Sequence, residues 1–361
     1  SRIYRFINKR IKFIMAYTTI NKSSAYFNTK LYTGTGSSNA ITGVGHTPSW
    51  TWIKNRATTD MHSLFDVPRG ATKRISTTNT SAQATEAQDL KAFGSDGFTV
   101  GTSGAVNSSN VNYVSWNWKA GTTSGLSTNG DTDITPSSYS FSQISGFSII
   151  RYTGIGGTPK QIPHGLGVKP KMFIIKRING TGSWGVLPQQ LGTGHLYLDG
   201  TQAISNTNPL SGGVLADAVN FSVSSSGDVN ASGGTYVAYC FADVQGYSKI
   251  GSYIGNGIAD GTFSYTGFKP AWILIKRYNA GGSWRLIDNK RIGYNRNNYY
   301  LTPNTTGAEG TGSTLAIDML SNGFKVIGTD IDVNTNGGSY MYMAFAEAPL
   351  VGSNNVPANA R

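Results

Sequence analysis

One cysteine, Cys240, in 361 residues rules out an internal disulfide, and the fold must be held by other means. Charged residues make up only 13% of the chain. The net charge of +12 is unevenly placed: Arg2, Arg5, Lys9, Arg10 and Lys12 fall in the first fourteen residues, which carry no acid. The remaining 25 basic and 18 acidic side chains are scattered. That is ordinary solubility charge and not the basic stripe of a nucleic-acid binder, so no nucleic-acid partner is expected. Four histidines (His46, His62, His164, His195) show no metal-ligand spacing, and His-Glu-x-x-His does not occur. Gly-x-Ser-x-Gly and a phosphate-loop lysine motif are missing as well. Glycoside hydrolysis needs two convergent carboxylates; acids are few, and no pair of them recurs in all three units. These absences argue against an enzyme and against a bound cofactor.

What the chain has is glycine (46 residues) and aromatics (11%), with Ser, Thr and Asn between them. This mix favours short strands and tight turns over helices, and the aromatic content separates it from a disordered sequence. The aromatics recur in a pattern. Pro270-Ala271-Trp272-Ile273-Leu274-Ile275-Lys276-Arg277 matches Pro170-Lys171-Met172-Phe173-Ile174-Ile175-Lys176-Arg177 and, more loosely, Pro48-Ser49-Trp50-Thr51-Trp52-Ile53-Lys54. In each copy the Lys follows the Pro by six residues, and β-branched and aromatic residues fill the gap, as in a strand. A second marker closes each copy at residues 113–118 (YVSWNW), 236–241 (YVAYCF) and 340–345 (YMYMAF). The two markers lie at nearly equal separation each time, the signature of one structural unit used three times.

Alternation along the closing segment places Val114, Trp116 and Trp118 on one face, with Val237, Tyr239 and Phe241, then Met341, Met343 and Phe345, in the same places. One apolar and one mixed face predict a strand in a two-layer antiparallel sandwich. The expected fold is all-β: three tandem antiparallel β-sandwich (jelly-roll-like) units at 31–119, 147–243 and 244–350. A Gly/Ser/Thr linker is expected at 120–146, a basic extension and lead-in at 1–30 and a polar tail at 351–361. The second and third units, joined almost directly through 243–248, are expected to pack as a rigid pair. Asp96-Gly97 and Asn322-Gly323 predict hairpin turns, whereas the second unit has Val219-Asn220 there and needs a different turn. Ile3, Phe6, Ile7, Ile11 and Ile14 share one helical face among basic residues. This is either an upstream extension, with Met15 a natural start, or a membrane-contacting segment. It has neither the apolar run nor the cleavage site of a signal peptide.

Two constellations are candidates for binding. Lys176, Arg177 and Trp184, with Lys276, Arg277 and Trp284, could line a site for an anionic sugar; the competing reading is a cation capping a strand beside a core Trp. Asp330, Asp332, Asn334 and Asn336-Gly337 have the spacing of a calcium loop. Against it, Asn334 aligns with Asn230 and Asn107 as a hairpin-turn residue, and Ile331 and Val333 alternate as strand residues do.

Taken together, Tyr152-Thr153-Gly154, Ile162-Pro163-His164-Gly165-Leu166-Gly167, the Pro-to-Lys-Arg strand, Gly323-Phe324 and Met343-Ala344-Phe345-Ala346-Glu347 resemble a family of repeat-bearing bacteriophage virion proteins of aquatic phages, described as tail-fibre, head-fibre or other structural proteins. The likeness runs from Met15 to Arg361. It implies an all-β fold, a place on the virion surface and other virion proteins as partners, and it carries no catalytic residues. The expected function is therefore a non-enzymatic virion surface protein, a tail-fibre or spike component for host attachment or a capsid decoration. It would act as a trimer or another symmetric homo-oligomer. The alternatives are a lectin-like module for host-surface glycans and, third, a polysaccharide depolymerase.

Overall fold

The computed structural model describes residues 17–349. The expectations for residues 1–14, for the Met15 start and for the tail at 351–361 lie outside the described residues. The fold is all-β and antiparallel, as expected, with single α-helical turns at Gly104–Asn107 and Ile331–Asn334 and 3-10 turns at Ser23–Ala25 and Gln189–Leu191. One four-strand arrangement recurs three times: an opening strand, the closing strand, the Pro strand and the strand after it, in that spatial order. In lobe 1 these are Phe27–Thr33, Asn112–Trp118, Trp50–Asn55 and Ser63–Asp66. Lobe 2 has Phe147–Thr153, Thr235–Phe241, Met172–Arg177 and Gly185–Pro188, and lobe 3 has Ser248–Ile254, Ser339–Pro349, Phe268–Arg277 and Arg285–Asp288.

A smaller sheet covers one face of each large one. It has three strands in lobe 1 (Asn39–Thr42, Gly97–Val100, Leu90–Gly94) and in lobe 3 (Asp260–Tyr265, Gly323–Ile327, Ala316–Leu320). Lobe 2 has two, Lys160–Pro163 and Asn220–Val223. Lobe 2 also lacks the turn glycine that the other two share. A Cβ on Gly97 would lie 1.9 Å from the Ile41 carbonyl oxygen, and one on Gly323 2.2 Å from that of Ser264. Both hairpins therefore need glycine, and lobe 2, with no hairpin there, carries Asn220.

The sandwich interiors are lined by the face of the closing strand expected to be mixed. Tyr236, Ala238 and Cys240 pack with Ile150, Phe173 and Phe221, and Tyr340, Tyr342 and Ala344 fill the same places in lobe 3. Burial pushes the Cys240 thiol up to about 12, so the lone cysteine serves as a small apolar residue. The apolar faces point the other way, to a single core shared by all three lobes. There Trp50 stacks on Tyr239 of lobe 2 (centroids 4.5 Å apart), Trp118 meets Trp272 of lobe 3 edge-on (5.4 Å), and Phe241 meets Phe345 (6.1 Å). Each lobe thus touches both others. This corrects the picture of three separate cores with lobes 2 and 3 as the rigid pair: the strands are buried on both sides, and the lobes close on one another. Burying one such aromatic is worth at most about 4–6 kcal/mol at ~25 cal/mol/Å².

Residues 120–146, expected as a linker, are built into lobe 2 in their second half. Ser138–Ser142 adds a strand beside the opening strand, and Ile134 is buried in the lobe interior. The Asp133 and Ile134 amides both donate to the Gln161 carbonyl (2.9 and 3.1 Å).

The opening strands run from one pole of the molecule to the other. At the first pole lie Phe27, Phe147 and Ser248, and the described chain begins and ends there: Thr18 and Pro349 both lie beside Gly246. The Gly-rich loops after the opening strands lie at the far pole and are fixed identically. Tyr32, Tyr152 and Tyr253 donate to the carbonyls of Val106, Val229 and Val333 (2.7, 2.6 and 2.7 Å), and each stacks on the first tyrosine of its closing strand. The glycine that follows cannot be replaced, because a Cβ on Gly34, Gly154 or Gly255 would meet a backbone oxygen at 2.1–2.5 Å.

One exchange inside the shared core tests the equivalence of the lobes. The fourteenth residue after the Pro is Trp184 or Trp284 in lobes 2 and 3 but His62 in lobe 1, and the fourth is Ile174 or Leu274 but Trp52 in lobe 1. Trp52 donates to His62 Nδ1 (2.8 Å), so one large ring has changed places with its neighbour. His62→Trp should destabilise the protein by about 1–3 kcal/mol through overpacking. Adding Trp52→Leu should recover most of that loss in urea denaturation. Additive losses in the double variant would show that the two positions do not share one space.

Candidate functional site: three lysine joints and a cleft in lobe 2

Lys54, Lys176 and Lys276 end their Pro strands in the interior, with no exposed surface. Each ammonium donates to the carbonyl of the residue after it, that of Asn55 (2.8 Å), Arg177 (2.8 Å) or Arg277 (2.5 Å). Each also reaches a backbone carbonyl of another lobe. Lys176 reaches Thr80 of lobe 1 (3.1 Å), Lys276 reaches Thr201 of lobe 2 (3.3 Å), and Lys54 reaches Thr306 of lobe 3 (3.4 Å). The order is cyclic: lobe 2 holds lobe 1, lobe 3 holds lobe 2, and lobe 1 holds lobe 3.

The rest of each joint repeats with the same spacing. The carbonyl that receives the lysine also accepts a backbone amide of the gripping lobe, from Gly182, Gly282 or Asp60. Three residues further on, the amides of Gln83, Ile204 and Glu309 donate to Ile178, Tyr278 and Arg56. Four residues before it, the carbonyls of Ser76 and Tyr197 accept the indole N–H of Trp184 (2.7 Å) and Trp284 (2.8 Å). At the third joint, His62 faces Thr302 instead. Burial, followed by the Lys54 charge, holds its pKa well below the usual histidine range, with the Thr302 carbonyl acting in the opposite direction.

The side chains expected to line a binding surface therefore separate. Lys176, Lys276, Trp184 and Trp284 are interior parts of the joints, and neither indole has a face open to a sugar. Arg177 and Arg277 are partly exposed and reach the neighbouring Asn179 and Asn279 (3.4 and 3.3 Å). The spacing that suggests a calcium loop also resolves differently. Residues 331–334 form a helical turn and not a strand, with Asp330 as its cap (2.9 Å to the Asp332 amide). Asp332 accepts from the Ser283 amide (2.9 Å) and pairs with Arg285 (2.6 Å). Asn334 is not a hairpin-turn residue. Its side chain pins the Gly-rich loop through the Asn256 amide and the Ile258 carbonyl, as Asn107 and Asn230 do in their lobes. His46 Nδ1 bonds the Ser24 carbonyl, and His164 Nδ1 accepts from the Leu166 amide.

A cleft of about 820 Å³ lies in lobe 2, a feature with no sequence motif. It lies beside the edge that a third strand occupies in lobes 1 and 3. Here residues 200–219 run as an irregular loop, fastened to the sheet by the Ser224 amide on the Leu210 carbonyl (2.6 Å). Its lining includes Thr158, His195, Tyr197, Gln202, Asn208 and Ser226. No Asp, Glu, Lys or Arg lines it among the described residues. Burial lowers the His195 pKa, which favours the neutral imidazole. Among the described residues, no group of three or more His, Cys, Asp or Glu is placed to hold a metal ion.

A family model described as "Domain of unknown function (DUF7483)" matches residues 22–349. No curated protein and no solved structure matches the chain.

The joints predict an unusual pH response. Burial lowers Lys54, Lys176 and Lys276 to about 8, below the ordinary 10.5, although nearby carboxylates (Asp60; Asp199 and Asp228; Asp332) oppose it. Between pH 8 and 10 the unfolded chain holds protons that the folded protein has released, so stability should rise with pH in that window. Above pH 10 the buried tyrosines, whose pKa values are raised, reverse the trend. Lys176→Met should cost about 1–3 kcal/mol at pH 7 by leaving carbonyls unpaired. It should also flatten the rise by about one third, since one of three such groups is gone. Urea midpoints at pH 7, 8, 9 and 10 read both effects, and an unchanged slope would remove the lysines from the account.

Proposed function

Because the chain belongs to this domain-of-unknown-function family, whose description assigns no activity, we propose its role from the molecule itself: a non-enzymatic display protein on the surface of a bacteriophage particle. The observation that carries this reading is the polarity of the body. The described chain begins and ends at one pole, and the three Gly-rich loops stand at the other. A body attached through the first pole presents the second outward on a rigid ring whose lobes cannot swing independently. The resemblance of its motif combination to virion structural proteins supports the same placement. In this reading other virion proteins meet the first pole, and copies of the chain, self-associated or arrayed by the particle, multiply weak contacts at the far pole. The main cleft, with no carboxylate on its walls, lacks the pair of acids of glycoside hydrolysis.

A second reading, a carbohydrate-binding module, is favoured by that same cleft, whose lining includes Thr158, after the Gly-rich loop, and Ser226.

Cryo-electron microscopy of the particles of the encoding virus tests the first reading. The expected result is three-lobed density on the outside, with residues 17 and 349 turned towards the particle. Particles lacking the protein, or holding it with the Gly-rich loops inward, would overturn it.

A further inference from the structure

We propose that the lobe 2 cleft binds an uncharged, hydroxyl-rich ligand, a segment of a neutral saccharide. The inference rests on the carbohydrate reading and gives it a location. At about 820 Å³ the cleft falls within the range of small-molecule sites, ~300–1,000 Å³. Its walls combine hydrogen-bonding groups that carry no charge, on Thr158, Gln202, Asn208 and Ser226, with the ring of Tyr197. That combination suits a sugar, whose ring edge carries hydroxyls and whose face is apolar C–H. A phosphate or a carboxylate would give up its hydration here with no cation on the walls and with the Asp228 charge acting on His195 and Tyr197.

The wall is also held in place before any ligand arrives, which lowers the ordering cost of binding. Trp284 of lobe 3 fixes the carbonyl of Tyr197, Lys276 and Gly282 fix that of Thr201, and Ile204 donates to Tyr278. His195 and Ser205 bond reciprocally across the loop (2.9 Å each way). Asn208 sits at φ 48°, a left-handed conformation uncommon for a residue other than glycine. Lobes 1 and 3 have a strand where lobe 2 has this loop, so one chain should carry one such site.

The test is an array of neutral and acidic glycans probed with the full chain, followed by titration calorimetry with the best neutral oligosaccharide. Asn208→Gly removes the side chain while suiting the backbone, and Gln202→Ala shortens a loop residue. Each should weaken binding at least tenfold with an unchanged thermal midpoint, and the unmodified protein should prefer neutral to acidic glycans. Glycan binding that both folded variants retain would overturn the cleft while leaving the carbohydrate reading standing. A preference for acidic glycans would overturn the neutral ligand class, and binding to no glycan would overturn the carbohydrate reading and this site together.

Discussion

A buried ammonium resting on the backbone of two lobes is the constraint from which the rest of this structure follows. A lysine withdrawn from water must satisfy its protons locally or lose its charge. Lys54, Lys176 and Lys276 do so with carbonyls, one from their own strand and one from another lobe, and Lys176 adds a third at Gly182. A carbonyl can be offered in that way only if the neighbouring chain is held at a fixed distance, which the adjoining amide bonds achieve. The contact is heterologous, with the donor surface of one lobe meeting the acceptor surface of the next. Three such contacts in cyclic order close on themselves, so the chain builds internally what a cyclic trimer builds from separate subunits.

The closed ring explains why the closing strands are buried on both faces in space, although only one face looks apolar in sequence. The alternation of Val237, Tyr239 and Phe241 with Tyr236, Ala238 and Cys240 has the period of a strand, and the all-β fold is legible from it. Which face meets which core is not. Small residues such as Ala238 and Cys240 signal close packing against a second sheet, whereas the large rings fill the wider space where three lobes converge. In a single sandwich the large face would turn inward, and nothing local distinguishes the two cases. The segment at 120–146 is obscure for a related reason: one buried Ile134 among Gly, Ser and Thr is too little apolar signal to mark a packed stretch.

The joints were half legible. The Pro-to-Lys spacing and the Trp fourteen residues after the Pro stand out because side chains repeat. Their partners are backbone carbonyls at 76 and 80, 197 and 201, and 302 and 306, which no residue type announces. A Lys and a Trp recurring together can therefore look like a ligand surface when they are the donors of a joint. The cleft left still less trace. It comes from a strand that lobe 2 lacks, and its one hint was Asn220 standing where the other lobes have a turn glycine.

Besides the His62 exchange, the three joints differ in one further contact, and the difference shows how such a core tolerates charge. At the eighteenth and twenty-first positions after the Pro, lobe 1 has Asp66 and Arg69, and lobe 3 has Asp288 and Arg291. Both are fully buried ion pairs, with N–O distances of 2.5 and 2.7 Å. Each carboxylate also receives a ring donor from another lobe, the Tyr239 hydroxyl (2.6 Å) and the Trp116 indole (3.0 Å). In lobe 2 the same positions are Pro188 and Leu191, and the closing-strand position that supplies the ring donor elsewhere is Met343 in lobe 3. All three polar members are replaced together, as they must be, because removing one would strand a buried charge or an unpaired donor. Two versions of one contact, one ionic and one apolar, thus coexist in a single molecule. The ionic version adds directional bonds that fix which lobe meets which, while the apolar one shows that closure itself needs only matched volume.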